Sequence, residues 1–519
     1  VESIAISLLF SFANPQHEQI VAEAARSTGV YVSASCEVLP EFREYERTST
    51  VVLNAYVGPL IDRYLARVEQ SLPESSTLRI MQSNGGSISS TTARREAART
   101  LLSGPAAGVV GAAFVAQASE FTRIITLDIG GTSTDVALVD EAMTETTDGK
   151  IGGYPTKLPM IDIHTVGAGG GSIAWFDLGG ALRVGPESAG ADPGPAAYGQ
   201  GGTKATVTDA HVVLHRLIPE AFLGGTMQLH QEQAEVAVGE IAKRMDTSCE
   251  EAARGMIRIA NANMEAAIRV ISVERGCDPR DFTLVAFGGA GPLHACELAA
   301  ALRIPRVLVP MSPGVLSALG MLIADTLKDY VRTIMVPVEE SYDAVHAAMT
   351  ELEEQGRNDL AREGISSEKI IIERYLDLRY IGQSYELTIP FEDDMGHSTN
   401  DFHSTHDRRF GYSDPNERVQ VVNVRLKARG LTTHPELEVQ EVVRGAVAEP
   451  TMTRNVTFED VDSSMEHDVP VYERQSLRPG MMLVGPAIIT QYDTTTVVPP
   501  TWSVQIDAIG NLVIERVEE

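Results

Sequence analysis

The chain has 519 residues, 43% of them apolar, which is long enough for two or three packed domains. Its 71 acidic against 42 basic residues leave a formal charge of −29 and no basic stripe, which argues against a nucleic-acid-binding surface. Four cysteines without C-x-x-C spacing argue against a zinc ribbon or disulfide scaffold, and no apolar run approaches the ~20 residues of a membrane helix. A cytoplasmic protein is expected.

In chain order, "VESIAISLLFSF" reads as a buried strand, so Val1 lies abruptly within structure and a preceding segment is expected. "NPQHEQIVAEAARSTG" predicts a helix, "VYVSASCEVL" a short strand, and "TSTVVLNAYVGPLIDRYLARVEQSL" a long amphipathic helix. "LRIMQSNGGSIS" is a strand closed by an Asn-Gly-Gly turn. "SGPAAGVVGAAFVAQASE" is a small-residue helix with Pro105 near its start. "RIITLDIGGTSTDVALV" gives two strands. Residues 167–202 are too glycine-dense for regular structure. In "RGMIRIANANMEAAIRVISVERG", Ile257, Ala260, Met264, Ile268 and Ile271 form one helical face. "FTLVAFGGAGPLHACELAAALRI" and "RVLVPMSPGVLSALGMLIA" each return to strand, turn and helix. From residue 331 one further helix and alternating segments predict a mostly β accessory domain.

Four motifs carry chemistry. The "LDIGGTSTDV" hairpin offers backbone N–H groups at Gly130 and Gly131, with hydroxyls at Thr132, Ser133 and Thr134, to a phosphate. Asp128 would hold the waters of a Mg²⁺ ion, and Asp135 would do likewise or orient a nucleophile. A polar hairpin held by Asx-type turn bonds would use the same residues. "VAFGGAGPLHA" places Gly288, Gly289, Ala290 and Gly291 at a helix start, where adenosine or phosphate would lie, or else forms a plain strand-to-helix turn. "DIHTVGAGGGSIAW" offers a second nest at Gly167 and Gly169–Gly171. Asp162 and His164 there are too few for a closed metal site. In "TVTDAHVVLHRL", Asp209 reads as a helix cap or an active-site carboxylate, and His211 and His215 share a helix face without the H-E-x-x-H pattern.

Together with "SLLFSFANPQHE", "QSNGGS", "LLSGPAAGVVGA", "VGPESAGADPGPAAYG", "VPMSPGVLSALG" and "GPAIITQYDTTTVVPP", these segments make the chain resemble the hydantoinase A / 5-oxoprolinase family, which is shared with caprolactamase and with acetone and acetophenone carboxylases. The resemblance implies an α/β fold: an actin/sugar kinase/Hsp70-like ATPase core of ribonuclease-H-like halves, with a β-rich C-terminal domain. The division it implies is 1–45 for the end of an N-terminal α/β domain, 46–330 for the core, and 331–519 for the accessory domain. Full-length members carry a second D-x-G-G-T-x-T-D hairpin in an N-terminal domain outside this chain, and a single hairpin is not expected to hold Mg·ATP in a reactive pose. Where relatives often have cysteine, this chain has Ala197, which leaves no thiol mechanism there.

The implied activity is ATP-dependent phosphorylation of the carbonyl oxygen of a cyclic amide or imide. Ring opening would follow with a hydantoinase B-type partner subunit, within a homo- or hetero-oligomer. The alternatives are a ketone carboxylase subunit and a nucleotide-binding subunit without chemistry of its own. Implied cofactors are ATP and Mg²⁺ (or Mn²⁺). Gly130–Thr134, Gly169 and Gly170 would contact phosphate, Gly288–Gly291 adenosine and Asp128 metal. Asp135 and Asp209 are the catalytic candidates.

Overall fold

The computed structural model describes residues 1–73, 75–443, 445–459 and 464–517. The chain forms two compact units that interleave along the sequence. Unit 1 comprises residues 1–106, 145–161 and 323–434, and unit 2 comprises 107–144, 162–322 and 435–519. The stretch from 331 onward is thus shared between them. No helix among the described residues is long and apolar enough to cross a membrane.

Unit 1 is built on a six-stranded sheet in the order Leu387–Pro390, Ile370–Tyr380, Val419–Gly430, Thr326–Pro337, Ser87–Ser89, Arg79–Met81. Its long strands pair antiparallel, and helix Tyr342–Arg362 buries Val345, Ala348, Met349 and Leu352 in their core. The N-terminal segment differs from its predicted buried strand. Only Ser3–Ile6 is a strand, paired in parallel with Tyr31–Ala34, and Leu9 and Phe10 beyond it are 73% and 67% exposed. A helix at Met395–Phe410 was not expected from its polar sequence. Asp394 caps it by accepting from the Gly396 and His397 amides, and Gly411, at φ +79°, ends it.

In unit 2 the main sheet contains β1 (Arg123–Ile129), β2 (Thr134–Asp140), β3 (Ile163–Val166), β4 (Thr283–Phe287), β5 (Arg306–Val309), β6 (Met482–Val484), β7 (Trp502–Ile506) and β8 (Leu512–Arg516). Their spatial order is β3-β2-β1-β4-β5-β8-β7-β6, with the short strand Ala142–Met143 beside β2. β1, β2 and β3 form an antiparallel meander. β4 lies parallel to β1, and β5 parallel to β4. The C-terminal strands then extend the sheet antiparallel, through β8 against β5. β4 is buried along its whole length and β1 at all but Arg123 and Asp128, as expected for largely apolar strands covered on both faces.

Helices α1 (Val207–Val213), α2 (Cys249–Ile271) and α3 (Gly291–Leu302) pack in the same core. The five residues predicted as one apolar face of α2 are all buried, and Ser248 caps the helix. The glycine-dense stretch contains more regular structure than its composition suggested: Ser172–Phe176 and Leu182–Ser188 pair antiparallel within it. A second sheet of four strands includes Ala487–Thr490 and Thr495–Val498, joined by the turn at 491–494.

Candidate nucleotide site

The site lies within unit 2, at the carboxyl ends of the adjacent parallel strands β1 and β4, where open α/β sheets bind ligands. Across β1 and β2, Asp128 stands directly opposite Asp135. The turn between them closes through the Gly130 amide donating to the Ser133 carbonyl at 3.1 Å, leaving Gly131 and Thr132 exposed. Burial and the facing Asp135 push the Asp128 carboxyl up to about 6. Burial also raises Asp135, opposed by hydrogen bonds from Thr165 and Ser133. The Thr165 hydroxyl donates to Asp135 from the facing position on β3.

Behind this turn, the glycines at 169–171 have a different task from the nest expected of them. The Gly170 amide donates to the Gly130 carbonyl at 3.0 Å, and the Gly171 amide to the Gly131 carbonyl at 2.7 Å. The Gly169 amide donates to the Ser172 hydroxyl at 2.8 Å. All three N–H groups are spent, so Gly169 and Gly170 are a buttress for the turn at Gly130–Ser133. A Cβ on Gly169 would fall 2.7 Å from the Gly130 carbonyl oxygen, which explains the glycine. Thr134 is likewise corrected: it is fully buried and its hydroxyl donates to the Ala168 carbonyl, leaving Thr132 and Ser133 as the hydroxyls of the turn.

The second glycine turn meets the first. Gly288 has φ +77°, and a Cβ there would lie 2.3 Å from Asp128 Oδ1 and 2.6 Å from the Ile129 carbonyl oxygen. The Ala290 amide donates to Ile129 at 2.9 Å, and α3 begins at Gly291 with Pro292 in its first turn, where a missing N–H costs nothing. Two residues absent from the sequence-based set close this side. The Thr494 hydroxyl donates to the Gly289 carbonyl at 3.0 Å, and Asp493 Oδ2 accepts from the Gly314 amide at 2.7 Å. Their segment, "GPAIITQYDTTTVVPP", stood out in the sequence, but nothing local tied it to residue 289.

Asp209 is a structural carboxylate, which corrects its catalytic candidacy. It is fully buried in a capping box with Thr206 and accepts from the amides of Ala196, Ala197 and Thr206 and from the Thr206 hydroxyl. Burial raises its pKa against these bonds. His211 and His215 do not share a helix face, because α1 ends at Val213 and His215 sits at φ +57°. His211 instead meets His294 of α3, Nε2 to Nε2, at 3.2 Å. Asp162 is ion-paired with Arg275.

Among the described residues no group of three or more His, Cys, Asp or Glu side chains is placed to hold a metal. Magnesium needs no such cage: one or two carboxylates, waters and substrate phosphates are its usual shell. Asp128 fits that pattern, for it is half-buried beside a second carboxylate and makes no ion pair among the described residues.

Residues 47–330 match the hydantoinase/oxoprolinase family, and residues 337–515 match its C-terminal domain. The chain belongs to this family. It is 36% identical to caprolactamase subunit alpha of Pseudomonas jessenii over 98% of this chain and 75% of that protein. It is 32% identical to 5-oxoprolinase of Saccharomyces cerevisiae over 96% of this chain and 40% of that one. The crystal structure of the ATP-dependent caprolactamase matches all of the chain and 77% of its own, with a TM-score of 0.88 at 34% identity. Nucleotide-free acetone carboxylase matches with a TM-score of 0.81 at 28% identity, over 100% and 76%. The resemblance read from the motifs is thereby established, and the nearer relatives include subunits of larger enzymes.

Proposed function

We propose that this chain is the nucleotide-using subunit of an ATP-dependent cyclic amidohydrolase of the hydantoinase/5-oxoprolinase kind. The observation that carries this reading is the meeting of two glycine turns around the facing carboxylates Asp128 and Asp135. The strand order of unit 2, a three-stranded antiparallel meander continued by two strands parallel to the first, supports one ribonuclease-H-like half of an actin/sugar kinase/Hsp70-type core.

An amide carbonyl is a poor electrophile because its leaving group is an amine and its carbon is stabilised by the nitrogen lone pair. When bound, Mg·ATP would supply the phosphoryl group that turns the carbonyl oxygen into a leaving group. The chain's own residues would do the holding. The exposed amides of Gly131 and Thr132 and the hydroxyls of Thr132 and Ser133 would donate to phosphate oxygens. Asp128 would accept hydrogen bonds from the waters of the cation. A nearby dication would offset the burial and like-charge repulsion that hold its carboxyl high. Asp135, oriented by Thr165, is the general-base candidate that remains. Gly288–Gly291 would leave a backbone surface for adenosine at the start of α3. A hydantoinase B-type subunit would complete ring opening.

The ketone carboxylase reading draws on the likeness to acetone carboxylase; the higher identity and TM-score with caprolactamase favour the amide. The test is calorimetric titration with Mg²⁺ and a non-hydrolysable ATP analogue. Saturable binding is expected, with Mg²⁺-dependent affinity lost in Asp128→Ala at unchanged circular dichroism. Equal affinity in that variant would overturn the placement of the site, and no binding by the unmodified chain would overturn the reading that its own two glycine turns suffice to hold the nucleotide. Turnover of ATP stimulated by cyclic amides, against ketone plus bicarbonate, then separates the two enzyme readings.

A further inference from the structure

Helices α1 and α3 each hold one side of the candidate site. On α1, the Thr208 amide and hydroxyl both donate to the Gly170 carbonyl, at 2.8 and 2.9 Å, and Gly170 in turn holds the phosphate turn at Gly130. α3 starts at the adenosine-side turn, whose Ala290 amide donates to Ile129. Between the two helices lies the contact of His211 with His294, both fully buried.

The direction of that bond follows from its neighbours. Glu297 Oε2 can only accept, so the Asn261 group 2.7 Å away is its amide nitrogen, and Asn261 Oδ1 faces His294 Nδ1 at 2.7 Å. Oδ1 is an acceptor, so His294 carries its proton on Nδ1 and presents a bare Nε2. His211 must then carry its proton on Nε2 and donate it across the 3.2 Å gap. Its own Nδ1 is buried without a partner, consistent with a single ring proton placed at Nε2. Arg216 anchors the far end by donating to Glu297 Oε1 at 2.8 Å. The chain Arg216–Glu297–Asn261–His294–His211 therefore has one set of donors and acceptors, fixed from its charged end.

We propose that His211 and His294 are positioning residues: their tautomer-locked bond sets the spacing between the phosphate turn at Gly130–Ser133 and the adenosine-side turn at Gly288–Gly291. This rests on the nucleotide reading above. A buried polar network whose donors and acceptors are all assigned in one direction fixes one arrangement of the helices that carry it.

The experiment compares His211→Gln, His211→Phe and His294→Asn. Glutamine places an amide N–H where His211 Nε2–H stands and keeps the donor; phenylalanine removes it. Asparagine at 294 satisfies Asn261 but has nothing at the Nε2 position. Binding of the ATP analogue with Mg²⁺ should weaken tenfold or more in His211→Phe and His294→Asn and stay within about threefold in His211→Gln. Ring ¹⁵N shifts of the unmodified chain should show His294 protonated at Nδ1 and His211 at Nε2. If His211→Phe does not fold, the contrast of His211→Gln with His294→Asn and the ring shifts carry the test. Equal affinity in all variants, or the reverse tautomers, overturns the positioning role alone; failure of the unmodified chain to bind nucleotide overturns the functional reading and this role with it.

Discussion

Asp128 shows what the site costs the fold. Its carboxyl is held up at about 6 by burial and by Asp135, against an ordinary value of 3.8. A carboxyl whose folded pKa is raised contributes stability at pH below 3.8, and that contribution is lost as pH rises through about 6. At pH 8 the folded protein therefore carries an ionised group it would rather keep neutral. Asp128→Asn should raise stability by about 1–2 kcal/mol at pH 8 and by little at pH 4 while abolishing Mg²⁺-dependent nucleotide binding. Urea unfolding at the two pH values checks this, and an unchanged midpoint at pH 8 would remove the burial argument. Gly288 gives a second residue-scale expectation. Any side chain there meets both a left-handed backbone and the Asp128 carboxylate. Gly288→Ala should cost about 1–3 kcal/mol and weaken nucleotide binding, as calorimetry and thermal melting would show.

At the scale of elements, the caps separate structure from chemistry. Asp209→Ala removes the acceptor of four hydrogen bonds at the start of α1 and should destabilise the chain by about 2–3 kcal/mol. A melting temperature unchanged from the unmodified chain would return Asp209 to the list of catalytic candidates. This element also shows how far the sequence could be read. The hairpin at Asp128–Asp135 was legible because strand, turn and strand are contiguous, and the face of α2 because its spacing is periodic. The glycines at 169–171 read in the sequence as a nest for an anion. Their partner is the backbone of another turn, which uses the very N–H groups a phosphate would need. The link of His211 to His294 spans 83 residues, and no local pattern encodes it. The stop of α1 at Val213, which separates His211 from His215, comes with His215 itself in the left-handed conformation and the Arg216 amide donating back to the His211 carbonyl, with no glycine or proline there to signal it.

At the scale of the molecule, acid should act through the buried histidines. Burial lowers His294 to about 4 from 6.5, and burial together with His294 drives His211 well below its ordinary value. A histidine with a depressed folded pKa contributes stability that is fully present above 6.5 and lost as pH falls towards the folded value. His294 alone should account for about 3 kcal/mol lost between pH 6.5 and 4. Urea midpoints measured across that range should fall more steeply for the unmodified chain than for His294→Asn; parallel curves would show that the His294 ring is not held neutral. The formal charge of −29 does not anticipate this, because it concerns solubility and self-repulsion rather than two interior rings.

The interleaving of the two units has a consequence in time. The chain passes between them five times, and the sheet carrying Asp128 receives the three strands of one edge only from residues 482–516. On a ribosome, β1 and β2 emerge before most of the strands that will flank them. At ordinary elongation rates the wait for β8 is roughly 20–80 s, far longer than a hairpin needs to form. Unit 1 can close once residue 434 has been made, but unit 2 cannot: although β1 and β2 precede the long strands of unit 1, their sheet waits for residues 482–516, so the order of synthesis and the order of assembly are decoupled.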